Sequence, residues 1–295
     1  MRKSVKKIAF LYYRSWAHDI LKYINQIQSE RKDFIISDVI CAKGIVTDLT
    51  FLNDSISIHY VDPEEPSELI KIFEGSDVEI VFCYSWSWFI PEELIKNLQC
   101  ICLHPSKLPK YRGGSPIQNQ VFSGDLKSAV TVFKMNTKLD AGPIYKQMLL
   151  DLDAPIGEVF KRMSSIGRVI TKDLIADYLN DSLNFHEQNH SEATVVKRRK
   201  PKDSSISLEE IENLEYCEFQ RRVNILKDPY PNMYIEFEEF RLKINEIHSF
   251  RYLPEAAQPI KYNTPINTIK KNQIFIKTLD RFALVSGYII EGSDI

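Results

Sequence analysis

Glycine is scarce in this sequence, with 10 residues in 295, and none occurs before Gly44. The first strand–helix turn therefore cannot carry the G-x-G-x-x-G cradle that holds a dinucleotide pyrophosphate. Long apolar runs are also missing: no stretch reaches the roughly 18 residues of a membrane span. The N-terminus, MRKSVKKIAFLYY, is basic and then apolar, as a signal peptide begins. Arg14, His18 and Asp19 interrupt the apolar stretch and no small-residue cleavage site follows. The expectation is a first β-strand behind a charged leader. Paired cysteines are absent as well. The 5 cysteines are an odd number and include no C-x-x-C pair. Cys100 and Cys102 share one face of a strand, but no histidines at ligand spacing join them, so a zinc site is not expected. The reading is reduced core thiols in a cytoplasmic protein without a metal. Nor does charge of either sign dominate. Lys and Arg number 38 against 40 for Asp and Glu, a formal net charge of -2. Nothing in that balance calls for a nucleic-acid or membrane partner.

What is present is an alternation of strand and helix signals. Apolar runs at Ile8–Tyr13, Phe34–Ile40, Val78–Cys83, Cys100–Leu103 and Val130–Met135 read as strands. Helical patterns fall at Ala17–Gln28, Leu69–Phe73, Pro91–Asn97, Pro116–Phe122 and Ile156–Tyr178. This alternation predicts an α/β fold, a Rossmann-like, mainly parallel sheet covered on both faces. Ligands in such sheets collect beyond the carboxyl ends of the strands. After a polar stretch, a short helix at Glu218–Leu226 precedes strand-like runs at Met233–Phe237, Leu242–Ile247, Gln273–Thr278 and Ala283–Ile289. The expected domains are a catalytic one over 1–190, a linker over 191–206, and a smaller C-terminal β-rich, OB-like one over 207–295. The charge run Lys197–Lys202 reads as a solvated connector or as a basic patch.

The segment from Cys100 to Gly142 carries the chemistry. His104 follows an apolar strand and opens a loop rich in breakers, PSKLPKYRGG. Asp140 follows the strand Val130–Met135 and precedes Gly142. If those strands are neighbours the two groups meet, and a carboxylate beside an imidazole orients it as a base. Taken singly, His104 is equally a satisfied loop histidine and Asp140 a turn former.

Together these residues resemble the formyltransferase family that uses 10-formyltetrahydrofolate. The resemblance rests on His104, Ser106-Lys107-Leu108-Pro109, Lys110-Tyr111-Arg112-Gly113, Ser115-Pro116-Ile117 and Leu139-Asp140-Ala141-Gly142-Pro143. It extends upstream to Val81–Leu94, and downstream to Arg198-Arg199-Lys200-Pro201 and Asp228-Pro229-Tyr230-Pro231. It implies that His104 moves protons as a substrate amine attacks the formyl carbon, while Asp140 fixes that histidine. It also implies an asparagine two residues before the histidine, donating to the oxygen of the tetrahedral intermediate. Here that position is Cys102. A thiol is a weak donor, so either another group supplies the hydrogen bond, or the enzyme is slow, or binding survives without catalysis. Covalent chemistry at Cys102 is not what the resemblance implies, because the family transfers directly.

The resemblance places the folate between Trp86, Ser87, Trp88, Phe89 and Ile90 on one side and Asn136, Thr137, Lys138, Leu139 and Asp140 on the other. An aromatic loop suits a flat pterin, although Trp86 and Trp88, two apart, also read as core packing on one strand face. Three amines fit the family: methionyl-tRNA, a nucleotide-linked amino sugar, and glycinamide ribonucleotide. The slightly acidic chain, and few basic residues in CAKGIVTDLTFLNDSISIHYVDPEEP, argue against tRNA. The second domain argues against glycinamide ribonucleotide. The expectation is a sugar-nucleotide substrate with Lys110 and Arg112 near its phosphates, unless those cations are solvated loop charges. Methionyl-tRNA formyltransferase and a non-catalytic folate or sugar-nucleotide binding protein are the alternatives. Relatedness to the sugar enzymes also implies a homodimer.

Overall fold

A computed structural model describes residues 5–45, 47–238, 240–252, 265–266 and 272–291. The chain divides into two compact units. The first comprises Met1–Pro116, Lys127–Asp151 and Phe160–Val196, and the second Ile117–Leu126, Leu152–Val159 and Lys197–Ile295.

The first unit begins with β1 (Lys6–Tyr12), α1 (Ser15–Glu30), β2 (Phe34–Ala42), β3 (Ser57–Val61), α2 (Pro66–Phe73), β4 (Ile80–Tyr84), α3 (Glu92–Asn97) and β5 (Gln99–His104). Then come β6 (Arg112–Gly113), α4 (Pro116–Phe122), β7 (Lys127–Lys134), β8 (Ile144–Asp151), α5 (Ile156–Leu179) and β9 (Val195–Val196). All but one residue of α4 and the first turn of α5 fall in the second unit. Seven strands form one sheet in the order β3-β2-β1-β4-β5-β7-β8. The first five are parallel, β7 runs antiparallel to β5, and β8 runs antiparallel to β7. Strand order reverses between β1 and β4, which makes the crevice beyond their carboxyl ends a topological switch point.

Burial explains why the central strands form. Ile80–Tyr84 is buried at every position, as a strand covered on both faces must be. On one face Ala9, Leu11, Val81, Cys83 and Cys100 pack with Leu69, Phe73 and Leu94 from α2 and α3. On the other, Phe10, Phe82 and Tyr84 form an aromatic cluster. The Tyr84 hydroxyl there meets Thr171 Oγ1 of α5 at 2.9 Å. Helix α1 buries Trp16, Ala17, Ile20, Leu21 and Ile24, an apolar stripe of helical period. Gly167 lets α5 approach closely: a Cβ there would lie 2.4 Å from Ile20 Cδ1 and 3.0 Å from Leu103 Cδ1.

The second unit contains α6 (Leu208–Glu212), α7 (Tyr216–Ile225), β10 (Tyr234–Glu236), β11 (Phe240–Phe250), β12 (Pro265–Ile266), β13 (Gln273–Lys277) and β14 (Phe282–Glu291). The strands pair antiparallel in the order β10-β11-β14-β13-β12. Phe122 of α4 lies between two guanidinium groups, Arg199 at 4.0 Å and Arg222 at 5.0 Å from its centroid. Arg199 is thus half-buried, and burial holds its pKa below the usual arginine range. Of the basic run Lys197–Lys202, this one cation packs inward.

The mainly parallel sheet and the separate antiparallel β unit agree with the α/β expectation. Two strands of the large sheet, β3 and β8, are not among the expected ones. Both are edge strands with mixed burial; Ile58 and Tyr60 are exposed on β3, and Leu149 is 83 % exposed on β8.

Candidate functional site

His104 is the last residue of β5, not the first residue after it. In register it lies opposite Thr131 of β7, and Thr131 lies opposite Gln147 of β8. These two side chains hold the loop that follows. Thr131 Oγ1 donates to Ser106 O at 2.6 Å. Gln147 Nε2 donates to Leu108 O at 2.8 Å and to Thr131 Oγ1 at 2.9 Å. Ser106 Oγ donates to Lys110 O at 2.7 Å. The loop then turns through Tyr111, whose φ of 59° is left-handed, and its carbonyl comes back to His104 Nε2 at 2.8 Å. A carbonyl only accepts, so Nε2 carries a proton.

His104 Nδ1 faces Asp140 Oδ2 at 3.6 Å, with the two side chains 8% and 15% exposed. That distance exceeds a hydrogen bond. Asp140 Oδ2 instead accepts the Gly113 N–H at 2.8 Å. The pair therefore meets, but by a route other than the expected one. Because β7 runs antiparallel to β5, its carboxyl end lies away from His104. The following loop folds back, with a φ of 47° at Asp140. Gly142 makes the return tight: a Cβ there would lie 1.8 Å from Lys134 O.

Cys102 lies opposite Cys83 and Phe133 in register. Burial, and then the nearby Asp140 charge, push its thiol well above the ordinary cysteine range. It remains a neutral thiol near neutral pH and is not activated as a nucleophile. Both nitrogens of His104 face other partners, so the imidazole does not serve as its base.

The aromatic loop follows β4 at the switch point. Ser85, with a φ of 59°, ends the strand. Its Oγ accepts the N–H of Tyr13 at 3.2 Å and of Arg14 at 3.0 Å. Trp86 and Trp88 are thus loop residues, not strand neighbours. Their rings still meet, at 5.0 Å between centroids, and Trp88 also contacts Tyr13 at 5.1 Å. Trp86 packs against the apolar core, as does Met135 at the root of the Asp140 loop. The Trp86 Nε1 donor is buried without a partner. Ser87 and Phe89 are exposed, Phe89 at 88 %, and Ile90 is buried. Across the site Asn136, Thr137, Lys138 and Leu139 are exposed. Asn136 Oδ1 accepts the Lys138 N–H at 2.9 Å, closing a turn.

Of the two loop cations, Lys110 is exposed and Arg112 is not. The Arg112 guanidinium is buried and donates from Nε and Nη2 to Gln188 Oε1 at 3.2 and 2.6 Å. Nη2 also lies 2.9 Å from His190 Nδ1. The expectation that Arg112 meets a substrate phosphate is therefore corrected: it braces the loop, and Lys110 alone of the pair reaches solvent. Gln188, Thr131 and Gln147 were not singled out by sequence. Among the described residues, no group of three His, Cys, Asp or Glu side chains could hold a metal ion, and no helix is long and apolar enough to cross a membrane.

Residues 18–158 match the family model described as formyl transferase. A methionyl-tRNA formyltransferase of Lysinibacillus sphaericus is 31% identical over 199 residues, which span 64% of this chain and 61% of that protein. The chain thus covers about three fifths of the length of that curated relative. Among solved structures, the methionyl-tRNA formyltransferase from Clostridium thermocellum aligns with a TM-score of 0.64 at 24% identity, over 97% of this chain and 100% of that one. WlaRD, a sugar 3N-formyl transferase crystallised in the presence of dTDP and 5-N-formyl-THF, aligns with a TM-score of 0.63 at 20% identity, over 96% and 97%. At these identities the structural likeness establishes the fold.

Proposed function

We propose that this chain, whose residues 18–158 match the formyl transferase family model, transfers a formyl group from 10-formyltetrahydrofolate to the primary amine of a nucleotide-linked amino deoxysugar. The observation that carries the reading is the pairing of buried His104 with partly buried Asp140, 3.6 Å apart, at the carboxyl end of β5. The folate lies between Trp86–Ile90 and Asn136–Asp140. Phe89 and Leu139, 88 % and 58% exposed, offer apolar surface to it.

The substrate amine attacks the formyl carbon and a tetrahedral intermediate forms. The carbon–N10 bond then breaks, one amine proton ends on N10, and tetrahydrofolate leaves with the amide formed. His104 relays that proton. Its Nε2–H now rests on the Tyr111 carbonyl, so one ring contact yields when the amine arrives. Asp140 then faces the imidazolium. Proton relay of this kind contributes roughly 10²–10⁴ in rate. Asp140 is itself oriented by the Gly113 N–H, so little reorganisation accompanies the step.

The amine class is supported by charge. The chain is formally -2, and a tRNA ligand calls for a basic surface. WlaRD, of the same fold, was crystallised in the presence of dTDP and 5-N-formyl-THF, a ligand pair of the proposed kind. Lys110, exposed in the loop after His104, is the cation assigned to the diphosphate. A second reading, methionyl-tRNA, is favoured by the curated relative and by the basic run Lys197–Lys202. The test is a panel: formylfolate with 3-amino and 4-amino deoxysugar nucleotides, and in parallel with charged initiator methionyl-tRNA. Formylation of a sugar nucleotide is expected. Turnover of the tRNA in its place overturns the substrate assignment, and no transfer to any amine overturns the activity.

A further inference from the structure

We infer that Gln188 is a positioning residue for the catalytic pair: its side-chain amide ties the backbone around Asp140 to the loop that holds His104. The inference rests on the reading of His104 and Asp140 given above.

Gln188 is 5 % exposed. Its Nε2 donates to Asp140 O at 2.9 Å and to Gly142 O at 2.7 Å. Its Oε1 accepts Arg112 Nε at 3.2 Å and Nη2 at 2.6 Å. A carboxamide has two N–H donors and one oxygen with two lone pairs, so every hydrogen-bonding position is used. The circuit closes through the catalytic residues. Next to Arg112, the Gly113 N–H binds the Asp140 carboxylate at 2.8 Å, and the Tyr111 carbonyl binds His104 at 2.8 Å. One side chain thus fixes the relative placement of the loops that supply the base and its carboxylate partner.

Local conformation makes this anchoring necessary. Asp140 sits at a φ of 47°, a region an L-residue occupies only when its surroundings hold it there. Releasing the carbonyls of Asp140 and Gly142 frees the loop to relax and carries the carboxylate away from the ring. The chemistry also specifies the residue type. Glutamate can accept from Arg112 but has no N–H for the two carbonyls. A lysine could donate to them but would face the guanidinium with a second cation. Asparagine has the right group on a stem one methylene shorter.

The discriminating variant is Gln188→Glu, which keeps the shape and the Arg112 contact and removes both donations. With sugar nucleotide and 10-formyltetrahydrofolate, kcat is expected to fall about 10- to 100-fold, as for a reacting group misplaced by about 1 Å. Both KM values should stay within about threefold. In an Asp140→Asn background the same change should cost nothing more, because both act through one carboxylate. Gln188→Asn should lose less and serves if Gln188→Glu does not fold. A separate readout needs no turnover. In ¹⁵N-histidine-labelled, ligand-free protein, the His104 ring signals, assigned by their loss in His104→Gln, should move in Gln188→Glu and stay in place in a Lys110→Gln control. Unchanged ring signals, a loss confined to KM, or a loss additive with Asp140→Asn would overturn the inference. If the wild type formylates no amine, the proposed function fails while the ring signals still decide the role of Gln188.

Discussion

Replacing Cys102 by asparagine is the perturbation with the largest expected gain. Cys102 lies on the same strand face as His104 and two residues before it, about 6.6–6.8 Å along β5. Its thiol is kept protonated by burial and by the Asp140 charge, so it offers one weak neutral donor. In the proposed reaction negative charge develops on the formyl oxygen, and an asparagine amide at position 102 would offer that oxygen an N–H. One such donor is worth about 10²–10³ in kcat, or ~3–4 kcal/mol. Against this, any polar atom of the new amide left unpaired costs about 1–3 kcal/mol of folding stability. The two effects separate, since the first appears in kcat and the second in the melting temperature. Tetrahydrofolate release at saturating formylfolate and amine should therefore rise about 100-fold in Cys102→Asn, with a lower melting temperature. Cys102→Ala is the control and should stay within about threefold of wild type, because the thiol contributes little. A Cys102→Asn variant that melts cooperatively but turns over no faster would refute the reasoning: position 102 would then not face the formyl oxygen, or another group already binds it.

Four features of the fold give further expectations. Tyr84→Phe should lower stability by about 0.5–1.5 kcal/mol, because Thr171 keeps its bond to Gly167 O at 2.6 Å; equilibrium denaturation measures this. Burial pushes the phenols of Tyr12 and Tyr84 above their ordinary range. The unfolded chain releases those protons near pH 10, so the stability they contribute is intact below that pH and is lost as pH rises further. The melting temperature should fall above about pH 10, and less steeply in Tyr84→Phe; equal slopes would contradict this. Gly167→Ala should cost about 1–3 kcal/mol, because the new Cβ meets Ile20 and Leu103 at 2.4 and 3.0 Å. A thiol reagent at pH 8 should label the exposed Cys217 quickly, and Cys41, Cys83 and Cys100, which are buried, only after denaturation.

The parts of the fold legible in sequence are those whose burial is complete. The runs IAFLY in β1 and IVFCY in β4 are apolar throughout because both faces of the sheet are covered. The edge strands β3 and β8 hide in SIHYV and IYKQMLLD, where one face meets solvent and polar residues break the run. His104 and Asp140 were identifiable as residues, but not the path that joins them. Their meeting depends on an antiparallel β7 and on the tight return at Gly142, and β7 is buried through its middle like its parallel neighbours, so its pattern does not give away its direction. Arg112 misled for a related reason: a cation in a polar loop reads as solvated, whereas here a distant glutamine receives it. Gln188 gave no signal of its own. It lies in a polar segment outside any motif, and its partners Arg112 and Asp140 are remote in sequence.

The most direct test is single-turnover formyl transfer by Asp140→Asn, which keeps an oxygen to accept from Gly113 and removes the charge facing His104. A loss of about 10²–10⁴ in rate is predicted, with formylfolate affinity within about threefold of wild type. A rate within tenfold of wild type would show that proton transfer does not run through this pair.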